Sequence, residues 1–375
     1  MAKAVKRRKG GGLLSLIVLI LIGVLVFKFT FIMNSAIGFL NFNKEAIEKI
    51  NVVELEDVID LNMYDSDGKN LYVVNSSKLE KYDENGQVLW HKDIVNNNII
   101  LKSMNEETFI VDKNQGDIFK IDGDGKILNS KYALGNIDNF KVNEESYCSF
   151  LSTDKKKISV LNRDLENVTE IEINSGDVLD YDISRENNIV VVSVLDLNES
   201  SVITKIVVFD LDGKMVGAFN YNNRILYKLN IKGDKVIALG DDILFSFTIK
   251  DGDQWENRIT EDLVAQEFLP NGDVTLFLRE KEADLVESKM IKSLVTYDVD
   301  GNEKYRSEIT DDLLAIYTLN DITVATLDKE LLIFDGQGKL LSRKSVSDKI
   351  DDLRWISKNK FVVRSGQNLN FYKLN

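Results

Sequence analysis

The segment IVVFDLDGKMV (206–216) shows best how this chain folds. A run of apolar, β-branched and aromatic residues leads into Asp-Leu-Asp-Gly, and a second apolar run follows. Runs of this composition favour β-strands. The Asp and Gly between them are typical of a tight hairpin, because the Asp carboxylate accepts hydrogen bonds from nearby N–H groups and Gly tolerates a positive φ. The segment therefore predicts two antiparallel strands joined by a short turn.

The same pattern recurs along the chain at intervals that average about 42 residues. The other clear copies are LEKYDENGQVLW (79–90), IFKIDGDGKIL (118–128), LVTYDVDGNEKY (294–305) and LLIFDGQGKLL (331–341), and two weaker copies are ISVLNRDLENVTEI (158–171) and LFSFTIKDGDQWEN (244–257). Two further strand-like runs precede each hairpin, so each unit has four strands. A four-stranded unit of roughly 40–45 residues is typical of a β-propeller blade.

Counting first strands gives the number of blades. They begin near residues 59, 99, 138, 178, 226, 264, 313 and 351, which predicts eight blades; seven is the alternative if one weaker copy is misread. The last unit, 350–375, has only three strands, and the run 49–56 can supply the missing outer strand and close the ring. The sequence thus predicts an all-β, eight-bladed propeller over residues 49–375, closed by an N-terminal strand.

The formal charge of −14 is unevenly distributed, with +6 on residues 1–33 and −20 on residues 34–375. Leu13 to Met33 is an apolar run interrupted by Lys28, and about 20 such residues cross a bilayer as a helix. Because the basic cluster precedes this run, the positive-inside rule places the amino terminus in the cytoplasm. We predict a cytoplasmic tail (1–12), one transmembrane helix (13–33), a stalk (34–48) and an extracytoplasmic propeller.

Two alternatives apply to this N-terminal region. A cleaved signal peptide would have an apolar region of about 7–15 residues that ends in an A-x-A-like site. The run here is longer, and Asn34-Ser35-Ala36 matches such a site poorly, so an uncleaved anchor in the plasma membrane is favoured.

The segment 36–50 has rough helical spacing, which fits an extension of the anchor or an interfacial regulatory helix.

The Asp-x-x-Gly hairpins, one of them followed by Trp in YDENGQVLW (82–90), resemble the quinoprotein-like (PQQ-like) propeller repeat. The layout of basic tail, single anchor and Lys- and Asn-rich propeller resembles a membrane-anchored propeller family of Firmicutes. It resembles more distantly the propeller lipoprotein of the outer-membrane β-barrel assembly machinery. Quinone-dependent dehydrogenases of this superfamily carry a vicinal Cys pair and repeated Trp docking motifs, whereas this chain has one Cys and three Trp. The resemblance therefore implies the fold without the quinone cofactor.

The composition argues against several classes of function. A single Cys forms no internal disulfide and no Cys-based zinc site, and a single His excludes two-His metal motifs. The acidic balance argues against nucleic acid, which is bound through Lys and Arg contacts to phosphate. The sequence has no Walker loop, nucleophile elbow or zinc-protease motif. We therefore predict a protein that is not an enzyme and needs no cofactor or metal.

Several residues that could carry chemistry have a simpler interpretation. The acid pairs Asp122/Asp124, Asp210/Asp212 and Asp298/Asp300 could bind calcium weakly, but they lack the further ligands of a calcium loop, so hairpin capping is favoured. We expect His91 at the surface and Cys148 as a buried small hydrophobe. The three tryptophans are expected to pack between blades; they are Trp90, Trp255 and Trp355.

Blades 4 and 6 contain insertions between their second and third strands, near 196–202 and 280–292. Such loops emerge on the face that carries the links between blades, whereas the Asp-Gly turns emerge on the opposite face. The closing strand starts on the Asp-Gly face, which would then look toward the membrane. Loops on a rigid scaffold frequently carry function. We predict a partner surface on the distal face with these residues: Asp196, Leu197, Glu199, Glu282, Asp284, Leu285 and Glu287.

Three functions remain open on the sequence. The favoured one is a non-enzymatic scaffold for protein–protein contacts in a cell-envelope complex of wall synthesis, division or secretion. The alternative is a sensor or binding module for an envelope polymer or small ligand, supported by the propeller face and channel. A third is a hydrolase or lyase that uses carboxylates alone, but Asp and Glu are too abundant to single out a pair.

Overall fold

The computed structural model describes residues 46–94, 98–143, 147–198, 201–249, 252–281 and 290–375. The predicted tail, anchor helix and all but the last residues of the stalk lie outside this part of the chain. Within the described residues, no helix is both long and apolar enough to cross a membrane. The chain from Ile47 to Leu374 forms one unit of eight four-stranded antiparallel sheets.

The strands, in chain order, are β1 (Ile47–Glu54), β2 (Tyr64–Ser66), β3 (Leu71–Asn75), β4 (Lys78–Tyr82), β5 (Val88–Asp93), β6 (Ile99–Met104), β7 (Glu107–Asp112), β8 (Ile118–Ile121), β9 (Ile127–Lys131), β10 (Ile137–Val142), β11 (Cys148–Ser152), β12 (Lys157–Leu161), β13 (Asn167–Glu172), β14 (Asp177–Ser184), β15 (Ile189–Asn198), β16 (Ser201–Asp210), β17 (Met215–Asn222), β18 (Leu226–Lys232), β19 (Lys235–Gly240), β20 (Ile243–Thr248), β21 (Gln254–Arg258), β22 (Asp262–Phe268), β23 (Val274–Arg279), β24 (Lys292–Tyr297), β25 (Glu303–Ile309), β26 (Ala315–Leu319), β27 (Ile322–Thr326), β28 (Glu330–Phe334), β29 (Leu340–Ser345), β30 (Asp352–Ser357), β31 (Lys360–Ser365) and β32 (Asn368–Leu374). A 3-10 turn, Leu61–Met63, precedes β2.

Each sheet is one blade of a propeller, and the predicted count of eight is confirmed. Blade 1 is β2–β5, and the following blades take four strands each in chain order up to β29. The first strands of blades contact one another, as in β2–β6, β14–β18, β22–β26 and β26–β30, and so surround the centre of the ring. Both weaker sequence copies form complete hairpins, β12–β13 and β20–β21. The hydrophobic core consists of clusters shared between neighbouring blades.

The ring closes as predicted, because β1 supplies the outer strand of blade 8. It pairs with β32 from Ile47 opposite Leu374 to Glu54 opposite Asn368, and it begins two residues before the predicted boundary. Ile47 is buried in a cluster that blades 7 and 8 share. The Asn51 side-chain amide then donates to the carbonyl oxygens of Asn85 and Gly86 in blade 1, at 3.2 and 3.1 Å. One short strand therefore completes a blade and fastens it to the next.

The Asp-Gly turns are held by their own side chains. In blade 4, Asp210 Oδ1 accepts hydrogen bonds from the backbone N–H groups of Asp212 and Lys214, at 3.1 and 2.8 Å. The same arrangement occurs at Asp83, Asp122, Asp298 and Asp335, and at Asn162 in the weaker copy of blade 3. These contacts confirm the hairpin-capping interpretation of the acid pairs, because the first carboxylate is used to shape the turn.

The predicted packing of the tryptophans between blades is also confirmed. Trp90 Nε1 donates to Gly123 O in the next blade at 2.9 Å, and Trp255 Nε1 donates to Val299 O at 3.2 Å. Trp355 in blade 8 reaches back to Tyr317 O in blade 7 at 3.3 Å. The acceptor is a turn carbonyl in the first two contacts and a carbonyl of β26 in the third, and each contact couples adjacent sheets.

Substituting Gly301 by Ala is expected to destabilise the fold much more than substituting Gly233 by Ala. Both glycines have a positive φ, 78° and 58°, so the backbone strain of an added Cβ is similar. At Gly301 the new Cβ would lie 2.6 Å from the Trp255 ring, whereas at Gly233 it meets open space. We expect G301A to cost about 1–3 kcal/mol more than G233A in urea unfolding. If both variants lost the same free energy of unfolding, the contact between blades at Trp255 would contribute little to stability.

Candidate functional site

The central channel is lined by polar side chains that link one blade to the next. Asp65 Oδ2, in blade 1, accepts a hydrogen bond from the Ser103 backbone N–H in blade 2 at 2.9 Å. Asp182 Oδ2, in blade 4, accepts one from the Ile231 N–H in blade 5 at 2.7 Å. Each contact joins the first strands of adjacent blades, so the channel wall is held by carboxylates as well as by apolar packing.

The strongest cluster in this wall spans blades 3 to 5. Lys141 Nζ lies 2.5 Å from Asp180 Oδ1 and donates to Tyr181 O at 2.5 Å. The other oxygen of Asp180 accepts from the Leu229 N–H at 2.9 Å and lies 4.0 Å from Lys228 Nζ. Asp180 is almost fully buried, so its charge is compensated by one close cation, a second cation and a backbone donor.

A second cluster joins blades 7, 8 and 1 around Asp352. The carboxylate is buried and accepts hydrogen bonds from the hydroxyl groups of Tyr64 and Tyr317, the latter at 2.9 Å. The Arg354 guanidinium lies 3.5 Å from the Asp352 carboxylate and 3.7 Å from Asp65. Burial and the negative charge of Asp352 raise the pKa of both tyrosines well above its ordinary value, so they remain hydrogen-bond donors at physiological pH.

Two charged side chains of the channel make no hydrogen bond or ion pair within the described residues, those of Lys102 in blade 2 and Glu267 in blade 6. Burial lowers the pKa of the Lys102 ammonium, and the nearby positive charges of Arg354, Lys141 and Lys228 act in the same direction. Burial raises the pKa of the Glu267 carboxyl to about 7. Both side chains are partly buried and have no protein partner of their own, which makes them candidates for contact with a ligand.

Glu267 is expected to make folding stability fall as pH rises from about 4.5 to 7. Its pKa is 4.5 when exposed and about 7 in the folded protein, so the folded state binds the extra proton in that interval. Below pH 4.5 the carboxyl is neutral in the folded and the unfolded state. Above pH 7 it is charged in both states, and the folded state bears the full cost of burying that charge. Relative to the wild type, Glu267→Gln should be about 1–3 kcal/mol more stable at pH 8 and equal at pH 4. Urea unfolding at several pH values measures this, and a difference that does not change with pH would contradict it.

A cavity of about 300 Å³ lies where blades 2 to 5 meet the channel. Its lining includes Lys102, Asn139, Lys141, Ser149, Asp182 and Lys228. Three of these side chains are lysines on three different blades, so the ring brings together charges that are far apart in the sequence. A larger groove, of about 960 Å³, lies between blades 1 and 2. It is mostly apolar, and its carboxylates at Asp112 and Asp117 accept hydrogen bonds from nearby backbone N–H groups.

The predicted partner residues are only partly within the described chain. Asp196 and Leu197 lie near the tip of the hairpin formed by β15 and β16, on the face that carries the links between blades. Asp196 is held by Lys205 Nζ at 2.6 Å and by Ser175 Oγ at 3.1 Å, whereas Leu197 is 68% exposed. The predicted residues Glu199, Glu282, Asp284, Leu285 and Glu287 lie outside the described residues. The predicted partner surface therefore remains a prediction.

The remaining single residues follow their simpler interpretations. His91 is exposed on β5, the outer strand of blade 1, as expected. Cys148 is buried, and burial raises the pKa of its thiol to about 12, so the reactive thiolate is disfavoured. Among the described residues, no three or more His, Cys, Asp or Glu side chains are grouped so that they could hold a metal ion.

The closed ring of four-stranded blades defines the protein as an eight-bladed β-propeller, and the comparisons agree with this class. The chain belongs to a family of unknown function (DUF5711), which matches residues 41–374. The search of curated proteins found no match.

Three solved structures show the same fold at low sequence identity. The computationally designed Ika8 protein has a TM-score of 0.64 at 14% identity, over 88% of this chain and 100% of its own. BamB from Moraxella catarrhalis, a PQQ-like propeller, has a TM-score of 0.55 at 10% identity, over 87% and 99%. The C-terminal WD40 domain of Sif2 has a TM-score of 0.59 at 12% identity, over 88% and 99%. The resemblance to PQQ-like propellers is therefore confirmed at the level of fold.

The channel residues were not found by motif analysis of the sequence. Lys102, Asp180 and Lys228 lie in first strands that contain further polar residues, so the sequence offered only a weak signal for them. Motif analysis looks for close spacing, but these side chains are 39 or more positions apart and meet only because the ring closes.

Proposed function

We propose that this protein is a membrane-anchored, extracytoplasmic propeller that acts as a scaffold for protein–protein contacts in a cell-envelope complex and catalyses no reaction. The observation that carries the proposal is the β15–β16 hairpin. Its two ten-residue strands continue past their neighbours, and Leu197 stands near the tip with most of its surface exposed. An exposed apolar side chain on a rigid hairpin is a suitable anchor for a protein partner.

The chain's path supports an orientation for this scaffold. The apolar run at 13–33 ends 14 positions before β1, and β1 starts on the face that carries the Asp-Gly turns. If the run is an anchor, the turn face looks toward the bilayer and the β15–β16 tip looks away from it. The layout also supports our attribution of the chain to a membrane-anchored propeller family of Firmicutes.

The similar structures support a non-enzymatic role. They include BamB and a WD40 domain, and propellers of these kinds offer broad faces and loops rather than one fixed chemistry. The polar groups in the channel wall of this chain are mostly engaged in links between blades, as at Asp65, Asp180 and Asp352. They are used to hold the ring together.

Photo-crosslinking in intact cells tests the proposal. A photoreactive amino acid replaces Leu197 in the full chain, and the matched control replaces Val216 in the same blade. Val216 is an exposed apolar residue of similar accessibility, 59%, next to the Asp-Gly turn on the opposite face. We expect position 197 to capture envelope proteins that position 216 does not. Equal capture at both positions, or no protein captured at 197, would overturn the scaffold assignment.

Topology is tested separately with single cysteines at the same two positions. Cys148 is buried and serves as an internal control that should stay unlabelled in the folded protein. A membrane-impermeant maleimide should label both introduced cysteines in intact cells. A quencher placed at the bilayer surface should affect a fluorophore at 216 more than one at 197. Labelling only after lysis would place the propeller in the cytoplasm and contradict the proposal.

A further inference from the structure

The channel cavity contains more positive charge than its own carboxylates use. Of its three lysines, Lys141 is engaged with Asp180, and Lys228 lies at 4.0 Å from the same carboxylate. The side chain of Lys102 makes no hydrogen bond or ion pair within the described residues. A partly buried ammonium that lines a cavity and has no protein partner is available to an anion from solution.

The acidic group that lines the cavity does not fill this role. Asp182 Oδ1 accepts a hydrogen bond from the Ile183 N–H at 2.9 Å, and Oδ2 accepts from the Ile231 N–H at 2.7 Å. Both oxygens are therefore used by the backbone. Asp65 attracts Lys102 electrostatically, but Arg354 lies 3.7 Å from Asp65 and competes for it.

The cavity has the size and the donors of a small binding site. Its volume of about 300 Å³ is at the lower end of the range for ligand pockets. The neutral amide of Asn139 lines it beside the three ammonium groups, whereas the Ser149 hydroxyl donates to the Tyr181 hydroxyl at 3.4 Å. These groups come from strands of different blades, so the ring geometry fixes their separation before any ligand binds.

We propose that this cavity binds a small organic anion with two or more carboxylate or phosphate groups, and that the Lys102 ammonium is its main charge partner. Lys228 contributes a second positive charge, and the amide of Asn139 adds hydrogen bonds. Anions of this kind suit several separate ammonium donors, each of which acts as a point charge. The inference depends on neither the membrane anchor nor a protein partner.

Calorimetric titration of the full chain tests this site. Citrate and inorganic phosphate are the anionic probes, and glycerol is the neutral control. We expect citrate to bind with a Kd below about 1 mM. The Lys102→Met variant should weaken binding at least tenfold. The matched control, Lys329→Met, removes the same charge at an exposed position and should bind as the wild type does.

Thermal unfolding provides a second measurement of binding and also shows whether a substitution has changed the stability of the fold. Citrate should raise the Tm of the wild type and of K329M but not that of K102M. Without citrate, K102M should be at least as stable as the wild type, because it loses an unpaired charge. Lys228→Met is the second variant, with a smaller expected loss of affinity. The proposal is wrong if citrate and phosphate give no more heat than glycerol, or if K102M binds as tightly as K329M.

Discussion

Replacing β1 with eight Gly and Ser residues in the full chain is expected to lower the Tm of the propeller by about 10 °C or more and to cause aggregation. The strand contributes the buried side chain of Ile47 and the partly buried side chains of Ile50 and Val53. Burying apolar side chains of this size stabilises by roughly 1.5–3 kcal/mol each, and 1 kcal/mol corresponds to roughly 2–4 °C in a large domain. Without β1, β32 becomes an open edge, which favours association.

Point variants separate the packing of β1 from its backbone pairing. Ile47→Ala should cost about 2–4 kcal/mol, because Ile47 fills the interface between blades 7 and 8. Val52 is 45% exposed on the same strand, so Val52→Ala should cost less than about 0.5 kcal/mol. Calorimetric Tm values and light scattering measure both effects. If the variant with Gly and Ser in place of β1 has the same Tm as the wild type, ring closure by β1 does not determine the stability of the propeller.

The second large effect is expected at Asp352. The Asp352→Ala variant should lose about 3–5 kcal/mol of stability, because it removes one of the two carboxylates beside the Arg354 guanidinium and leaves the hydroxyl groups of two tyrosines without an acceptor. Because Tyr64 and Tyr317 belong to blades 1 and 7, the loss affects three blades at once. Asp328→Ala, at an exposed position, is the matched control and should change stability by less than about 0.5 kcal/mol.

A double-mutant cycle shows whether the tyrosines act through Asp352. Tyr317→Phe should cost about 1 kcal/mol in the wild type. In the D352A background the same change should cost little, because the hydroxyl has already lost its acceptor. Additive costs, or a D352A variant as stable as D328A, would show that this cluster does not hold blades 7, 8 and 1 together.

Most of the architecture could be predicted from the sequence because it rests on local signals. Asp210 and Gly213 encode a turn within four residues, and six further copies place the blades. Closure by β1 followed from counting strands, since the last unit lacked one. In blade 3, where Leu165 replaces the turn glycine, the hairpin forms with φ at 62° and Asn162 as the cap. The local cap therefore tolerates loss of the glycine.

The channel could not be predicted in the same way. Lys102, Lys141 and Lys228 lie on three blades, and only the curvature of the ring decides that they face one cavity. The difference between a paired and an unpaired charge depends on distances of a few ångströms, as between Asp180 and its two lysines. Sequence spacing contains no information of that kind when the contacts join different blades.

The pairing of β1 with β32 also sets the order of events during synthesis. Glu54 and Asn368 are partners 314 positions apart, so β1 waits for β32 to be synthesised. At about 5–20 residues per second, this delay is roughly 15–60 s. During that time blades can form one after another, but the incomplete ring keeps two unpaired edges. The synthesis of β32 is therefore the step that allows the ring to close, and a chain truncated before β32 remains open however many blades it has built.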